Sequence, residues 1–364
     1  MSGGRGPLRV AVLGAGTVGR EVIRAILERR AELAPADGSS VELVGVAVRD
    51  LGRARAAGIP SALLTDAPAH LVADPGNDVI VELMGGDEPA RTLIGAALGA
   101  GKAVVTANKH VIAHTGATLE ATARRSGSAL RFEAAVGGGI PVLGPLATDL
   151  AGNRVRAVRG IVNGTTNFIL SAMADEGRDY GEVLAAAQAA GYAEADPSGD
   201  VEGHDAVNKL VILARLAFGS WIDPGSVTTM ATEGPGAGRP GITGVSARDI
   251  AAAAERGHVI KLIAEARRED DAITARVLPT ALPAGSPLGR TGGVLNRIEI
   301  DAEPVGTIAF SGPGAGGAAT SSAVLGDLIA IARGLGSTWA GLPPAGPAPA
   351  EPAPSGSAPS GRAE

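Results

Sequence analysis

The chain contains no cysteine. That absence excludes a disulfide framework, a thiolate zinc site, a thioredoxin-type centre and any thiol nucleophile. It equally excludes oxidation of an aldehyde through a thiohemiacetal. Aromatic residues make up only 2% of the 364 positions, so the core has to be assembled from Ala, Val, Leu and Ile. Lysine is scarce as well: of 32 basic residues only four are lysines, Lys102, Lys109, Lys209 and Lys261. Arginine serves wherever a generic cation suffices, which makes each remaining lysine a candidate for proton transfer, since lysine readily loses its proton when buried. No basic run stands out, and 38 acidic residues bring the net charge to −6, which argues against nucleic acid as a partner. No apolar stretch is long enough to cross a bilayer. Leu8–Leu13 is too short for the apolar part of a secretion signal. The expectation is a soluble, cytoplasmic protein with no membrane partner.

What is present suits a packed protein of two domains: 45% of the residues are apolar and 19% charged. Glycine, with 54 residues, stands at about twice its usual ~7%. The runs Leu8–Leu13, Val41–Val48, Val79–Leu83, Ala103–Thr106 and Leu130–Ala134 read as short buried strands. Helical patterns over Thr17–Arg30 and Glu88–Gly99 lie between them. Alternation of this kind predicts βαβ units and a parallel sheet. After Gly144 the texture changes. Val155–Val162 alternates apolar and polar, which suits a sheet with one wet face. Helices are expected over Tyr180–Ala190, Val201–Phe218 and Ser246–Arg267, the last opened by Ser246 with Asp249 three residues on. Strands are expected at Ile273–Leu278, Leu295–Ile300 and Val305–Phe310, the last two paired as a hairpin, before a final helix over Thr320–Arg333. The fold class read here is therefore an α/β Rossmann dinucleotide-binding domain plus an α+β substrate-binding and dimerisation domain. The expected boundaries are 1–145, completed by 312–335, then 146–311. A disordered tail is expected over 341–364, which is rich in Pro and Ala.

Several segments carry chemistry. Gly14 to Gly19 spell GAGTVG between a strand and a helix. Gly14 makes the tight turn, Gly16 lets backbone approach a pyrophosphate, and Gly19 lets the helix meet the strand. Behind the second strand, Arg49 suits a 2′-phosphate, whereas Asp50 would tolerate a free ribose; NADP is the expected cofactor, with NAD open. Thr106, Asn108 and Lys109 close a strand at the end of a parallel sheet where ligands bind. Gly191–Leu210 packs Glu194, Asp196, Asp200, Glu202 and Asp205 ahead of Lys209. Asp205 and Lys209 are four apart, so on a helix they share a face. That pair reads as an ordinary salt bridge, as part of a metal site, or as a proton-transfer pair at a pocket mouth. The histidines His70, His110, His114, His204 and His258 show no ligand spacing. Asn163–Asn167 (NGTTN) reads as a turn with a threonine cap. Ser311–Gly317 is either a second phosphate or nicotinamide loop or a flexible one.

Taken together, GAGTVG, VVTANK (Val104–Lys109), EAAVGGGIP (Glu133–Pro141), GIVNGTTNFIL (Gly160–Leu170), the Gly191–Leu210 segment and GPGAGGAATSSAV (Gly312–Val324) resemble homoserine dehydrogenase, from about Leu8 to Arg333. The resemblance implies interconversion of L-aspartate 4-semialdehyde and L-homoserine with NAD(P), a step toward threonine and methionine. It implies Lys209 and Lys109 as the catalytic lysines. It implies Gly164, Thr165, Tyr192, Glu194, Asp200 and Asp205 around the substrate. Cofactor contacts are implied at Gly14, Gly16, Thr17, Val18, Gly19, Thr106, Asn108, Lys109 and Gly314, besides Arg49. Backbone oxygens of Glu133, Val136, Gly138 and Ile140 would hold a sodium-type cation, and the chain would form a homodimer through the second sheet. Many relatives add a C-terminal ACT domain that senses threonine; the Pro/Ala-rich tail leads to the expectation that this domain, and feedback through it, are missing. His110, following Lys109, and His204, preceding Asp205, depart from the residues expected of the family at those positions. Aspartate-semialdehyde dehydrogenase, which shares the substrate, needs a cysteine and is excluded. A non-catalytic NAD(P)-binding paralogue acting as a sensor stays open as the alternative, and so does another small amino-acid dehydrogenase.

Overall fold

A computed structural model describes residues 6–30, 32–33, 40–270 and 272–345. The first half of the chain alternates strand and helix: β1 (Leu8–Leu13), α1 (Thr17–Glu28), β2 (Val41–Ala47), α2 (Leu51–Ala56), β3 (Leu64–Thr65), α3 (Pro68–Ala73), β4 (Val79–Glu82), α4 (Ala90–Gly99), β5 (Ala103–Thr106), α5 (Lys109–Ser126), β6 (Leu130–Arg131) and α6 (Leu143–Ala147). The six strands form one parallel sheet in the order β3-β2-β1-β4-β5-β6. That is the doubly wound arrangement with its crevice at the switch between β1 and β4. The strands are short and largely apolar because helices cover both faces; Val10, Val12, Val79, Val81 and Val105 have no accessible surface.

The second half holds β7 (Arg154–Ile161), α7 (Gly164–Glu176), α8 (Tyr180–Ala189), α9 (Ser198–Val201), α10 (His204–Phe218), α11 (Ala247–Ala254), β8 (His258–Glu269), β9 (Ala272–Pro283), β10 (Leu295–Glu303), β11 (Gly306–Pro313) and α12 (Gly317–Ala332). Its five strands form an antiparallel sheet in the order β11-β10-β7-β8-β9. One face packs on α7 and α10 through Val158, Ile260, Leu262, Ala264, Ile298 and Ile300. The other carries arginines laid over Glu265 and Glu299. α12 returns to the parallel sheet, where Val324 and Leu328 join the core formed by Val10, Val12 and Val22.

Four expectations need correction. The helix expected over Ser246–Arg267 is two elements. Ser246 and Asp249 do form the reciprocal capping box, but α11 stops at Ala254, and Gly257, at φ +69°, turns the chain into β8. A continuous apolar run suits a buried strand as well as a helix, and pairing with β9 along its whole length decides for the strand. The helix expected over Val201–Phe218 is broken at Gly203, φ +90°, which separates α9 from α10. The strand expected over Leu130–Ala134 is only β6, because the chain winds into a 3-10 turn at Glu133–Ala135. The tail expected from 341 begins too early. Trp339 is buried against Phe132, with ring centroids 5.4 Å apart, and the carbonyls of Leu342 and Pro343 accept hydrogen bonds from Arg124 and Arg215 at 3.0 and 2.8 Å. The remainder of that expectation, 346–364, lies outside the described residues.

Candidate active site

The glycines of the first turn are required sterically. A Cβ on Gly14, which sits at φ +101°, would lie 2.6 Å from the Leu83 carbonyl oxygen. One on Gly19 would lie 2.1 Å from that of Gly14. α1 therefore leaves β1 with its N-terminus open, with neither a side-chain cap nor an acid in its first turn. Its free N–H group at Thr17 and the bare Gly16 face a cleft of about 520 Å³. The cleft is further lined by Arg20 of α1 and, past β2, by Arg49, Asp50, Arg53 and Asp66. The Asp50 carboxylate accepts a hydrogen bond from Arg53 N–H at 2.9 Å and caps α2.

A residue that sequence reasoning missed shapes the far wall. Glu82 ends β4 fully buried, and its carboxylate accepts from Met84 N–H, Gly85 N–H and the Thr106 hydroxyl at 2.7, 3.1 and 2.6 Å. Thr106 in turn accepts from Asn108 N–H at 2.9 Å. Asn108 donates to the Gly86 carbonyl and caps α5 through Val111 N–H. This chain of hydrogen bonds ties the ends of β4 and β5 together and sets Lys109, the first residue of α5, at the crevice.

There Lys109 meets α10. Asp205 holds one lysine on each oxygen: Lys109 Nζ lies 2.7 Å from Oδ1 and Lys209 Nζ 2.7 Å from Oδ2. Lys209 also donates to the Val162 carbonyl at 2.7 Å. Asn163 caps α7, correcting the threonine expected there, and its amide donates to Asp200 at 2.7 Å and to Asp205 at 2.9 Å. The two lysines differ in access. The Lys109 side chain keeps 43% of its surface exposed, whereas Lys209 is buried. Burial, added to the charge of Lys109, pushes the Lys209 ammonium below the ordinary lysine value despite Asp205. Burial also works against Lys109, but Asp205, with Asp200 and Glu194 behind it, outweighs that and holds Lys109 above the ordinary value. Asp205 is itself buried, yet the two ammoniums drive it well below the usual carboxylate range. The arrangement thus contains one lysine kept charged and a second disposed to release its proton.

Other expected residues border this cluster. Thr165 donates to the Tyr192 carbonyl at 3.0 Å, and the Tyr192 ring lies 4.6 Å from that of Phe168. Gly164 is packed so closely that a Cβ would lie 2.8 Å from the Val294 carbonyl oxygen. Glu194 is exposed. The Glu133–Ile140 loop lies against the loop before α12, since a Cβ on Gly138 would be 2.6 Å from Gly314 backbone. Within it the Glu133 carboxylate is occupied by three N–H groups, those of Val142, Leu143 and Gly144. Gly317 reaches Thr17 of α1, so the Ser311–Gly317 loop does border the glycine-rich turn. His110 stacks on His114, and among the described residues no group of three or more metal-binding side chains is assembled.

Comparison with known proteins gives one answer. Residues 14–133 match the model of the homoserine dehydrogenase NAD-binding domain, and residues 141–329 that of homoserine dehydrogenase itself. The homoserine dehydrogenase of Corynebacterium glutamicum is 45% identical over 358 residues, covering 94% of this chain and 78% of that protein. The crystal structure of a homoserine dehydrogenase from Thiobacillus denitrificans is 40% identical, covers 90% of this chain and 73% of its own, and superposes with a TM-score of 0.83. A hyperthermophilic archaeal homoserine dehydrogenase in complex with NADPH is 27% identical, covers 90% of this chain and 98% of its own, and superposes with a TM-score of 0.74. With the glycine-rich turn, the two lysines and the shared aspartate all in place, the chain belongs to the homoserine dehydrogenase family of NAD(P)-dependent oxidoreductases.

Proposed function

We propose that this chain interconverts L-aspartate 4-semialdehyde and L-homoserine with NADP, and that Lys209 carries the proton. The observation that supports the assignment is the Asp205 carboxylate shared by two lysines of unequal access. The open N-terminus of α1 and the empty space before Gly16 fit a dinucleotide pyrophosphate. Arg49, with Arg20 and Arg53 beside it, fits a 2′-phosphate. When bound there, a nicotinamide cofactor supplies or accepts the hydride. Reduction of an aldehyde leaves a developing alkoxide, which Lys109, held charged, stabilises while Lys209 delivers a proton. In the reverse direction the neutral Lys209 amine takes the hydroxyl proton, a task favoured by its burial. Asp200 and Glu194, with Gly164, Thr165 and Tyr192, would hold the amino-acid end of the substrate.

For the cation, neutral backbone oxygens of Glu133, Val136, Gly138 and Ile140 suit a hard monovalent ion. The Glu133 carboxylate is already occupied, so the donor set matches a sodium-type ion better than a divalent one. Division of the chain near residue 145, with 312–335 returning to the first domain and a homodimer through the antiparallel sheet, completes the reading. The non-catalytic alternative is not favoured, because a sensor needs neither lysine.

The test is homoserine-dependent reduction of NADP and of NAD at alkaline pH by the unsubstituted chain and by Lys209→Ala. The substitution is expected to lower kcat by about 10²–10⁴-fold with cofactor affinity little changed. Near-normal kcat would remove Lys209 from the role, and a rate with NAD equal to that with NADP would remove Arg49 from phosphate recognition.

A further inference from the structure

α5 and α10 lie side by side in parallel, with Lys109 and Asp205 paired at their N-terminal ends. Eleven residues along α5, roughly 16 Å by helical rise, stands Glu120; ten residues along α10 stands Arg215. These two are also paired, and more deeply. Arg215 has no accessible surface and Glu120 2%, with guanidinium-to-carboxylate distances of 2.9 and 2.7 Å. Trp221 Nε1 donates to the same carboxylate at 2.9 Å, and Arg124 adds another pair of hydrogen bonds. Between the two ends, Gly116 of α5 lies flat against the Trp221 ring, where a Cβ would be 2.3 Å from it. Arg215 further donates to the Pro343 carbonyl, while its Nη1 finds no partner among the described residues.

A buried ion pair is poor value for stability alone. Its desolvation cost is large, apolar residues of similar size often serve as well, and here one guanidinium nitrogen is left unsatisfied. What such a pair does supply is a fixed register between the elements that carry it. α5 lies in the segment matching the NAD-binding domain and α10 in the segment matching the catalytic one, so the register at stake is that of cofactor and proton donor.

We propose that Glu120 and Arg215 are positioning residues for catalysis: by locking α5 against α10 they hold Lys109 on Asp205 at the other end of the same two helices. This rests on the reading that Lys109, Asp205 and Lys209 form the reacting cluster. The charged groups around Lys209 are Asp205 on α10, Lys109 on α5 and Asp200 on α9. If Lys109 drifts from Asp205, Lys209 loses a repelling charge and keeps the whole carboxylate, so it holds its proton to higher pH.

The experiment measures kcat for homoserine oxidation against pH, cofactor Kd and cofactor stoichiometry in the full chain, in Glu120→Gln and in Trp221→Phe. The expected result for both variants is a kcat lower by about ten- to a hundredfold. Cofactor Kd should stay within about twofold and the alkaline rise in kcat should move to higher pH. An unmoved pH profile overturns the proposal, whether kcat is unchanged or falls only with the fraction of cofactor-competent protein. If Glu120→Gln does not fold, Trp221→Phe decides, since it removes the Nε1 hydrogen bond to Glu120 without leaving a carboxylate-free Arg215. Absence of turnover in the unsubstituted chain would overturn the proposed function as well; normal turnover with unmoved variants overturns this inference alone.

Discussion

At the scale of single residues, the chemistry is set by which charges share a buried volume. Asp205 raises the proton affinity of both lysines at once, more than Asp200 behind it, against the burial that lowers it. Replacing Asp205 with Asn is therefore expected to shift the alkaline rise in homoserine oxidation to lower pH, as burial and the Lys109 charge act on Lys209 with only Asp200 left to oppose them. A shift upward in the measured kcat profile would show that another group controls it. Lys261 offers a second, independent titration. It is buried on β8, with Asn167 and Ser171 each 2.9 Å away, and burial pushes it down to about 8. Between that value and the ordinary 10.5 the unfolded chain binds more protons than the native one, so stability rises with pH across this window. The contribution is about 3 kcal/mol, and thermal melts at several pH values should show it in the wild-type chain and not in Lys261→Met.

At the scale of elements, pairs of helices and strands place what no local pattern relates. Lys109 and Lys209 are a hundred residues apart, and the α5–α10 packing makes them neighbours of one carboxylate. The chain after α12 behaves in the same way. Ser337 and Thr338 hydrogen-bond to Leu130 and Phe132 beside β6, and Trp339 fills the space above Phe132. Trp339→Ala should cost about 3–5 kcal/mol in a denaturant titration, as large-to-small changes in packed cores do; a loss under 1 kcal/mol would mean that the segment is not docked in solution. The composition of residues 341–364 gives no hint of this docking, because carbonyl oxygens rather than side chains make its hydrogen bonds at Leu342 and Pro343.

At the scale of the molecule, a parallel sheet covered on both faces meets an antiparallel sheet with one face open. On that open face Glu265 and Glu299 are each crossed by two arginines, an organised surface of five strands. It is the surface through which the proposed homodimer would form, and sedimentation equilibrium is expected to give twice the chain mass. A monomer at micromolar concentration would count against it.

The division between sequence and tertiary structure follows the range of the interactions. The sequence alone determined β1, β2, β4 and β5 of the βαβ half, because strands four to seven residues long are written locally, whereas the two-residue β3 and β6 are not. It determined the nucleotide turn as well, since only glycine meets the steric demands at positions 14 and 19. It also singled out Lys109, Asp205 and Lys209, through the scarcity of lysine and the i,i+4 spacing of the second pair. The tertiary structure decided whether Ser246–Arg267 was helix or strand, because only pairing with β9 distinguishes two buried apolar elements of the same composition. It likewise revealed Glu82, Glu120 and Arg215. A charged residue carries no mark of burial in its own neighbourhood, and the partners that make burial tolerable lie 24 and 95 positions away. The roles proposed for the lysines rest on contacts of that range too: sequence supplies two ammonium groups, and their unequal access to water around a shared Asp205 supports reading one as a fixed charge and the other as the proton carrier.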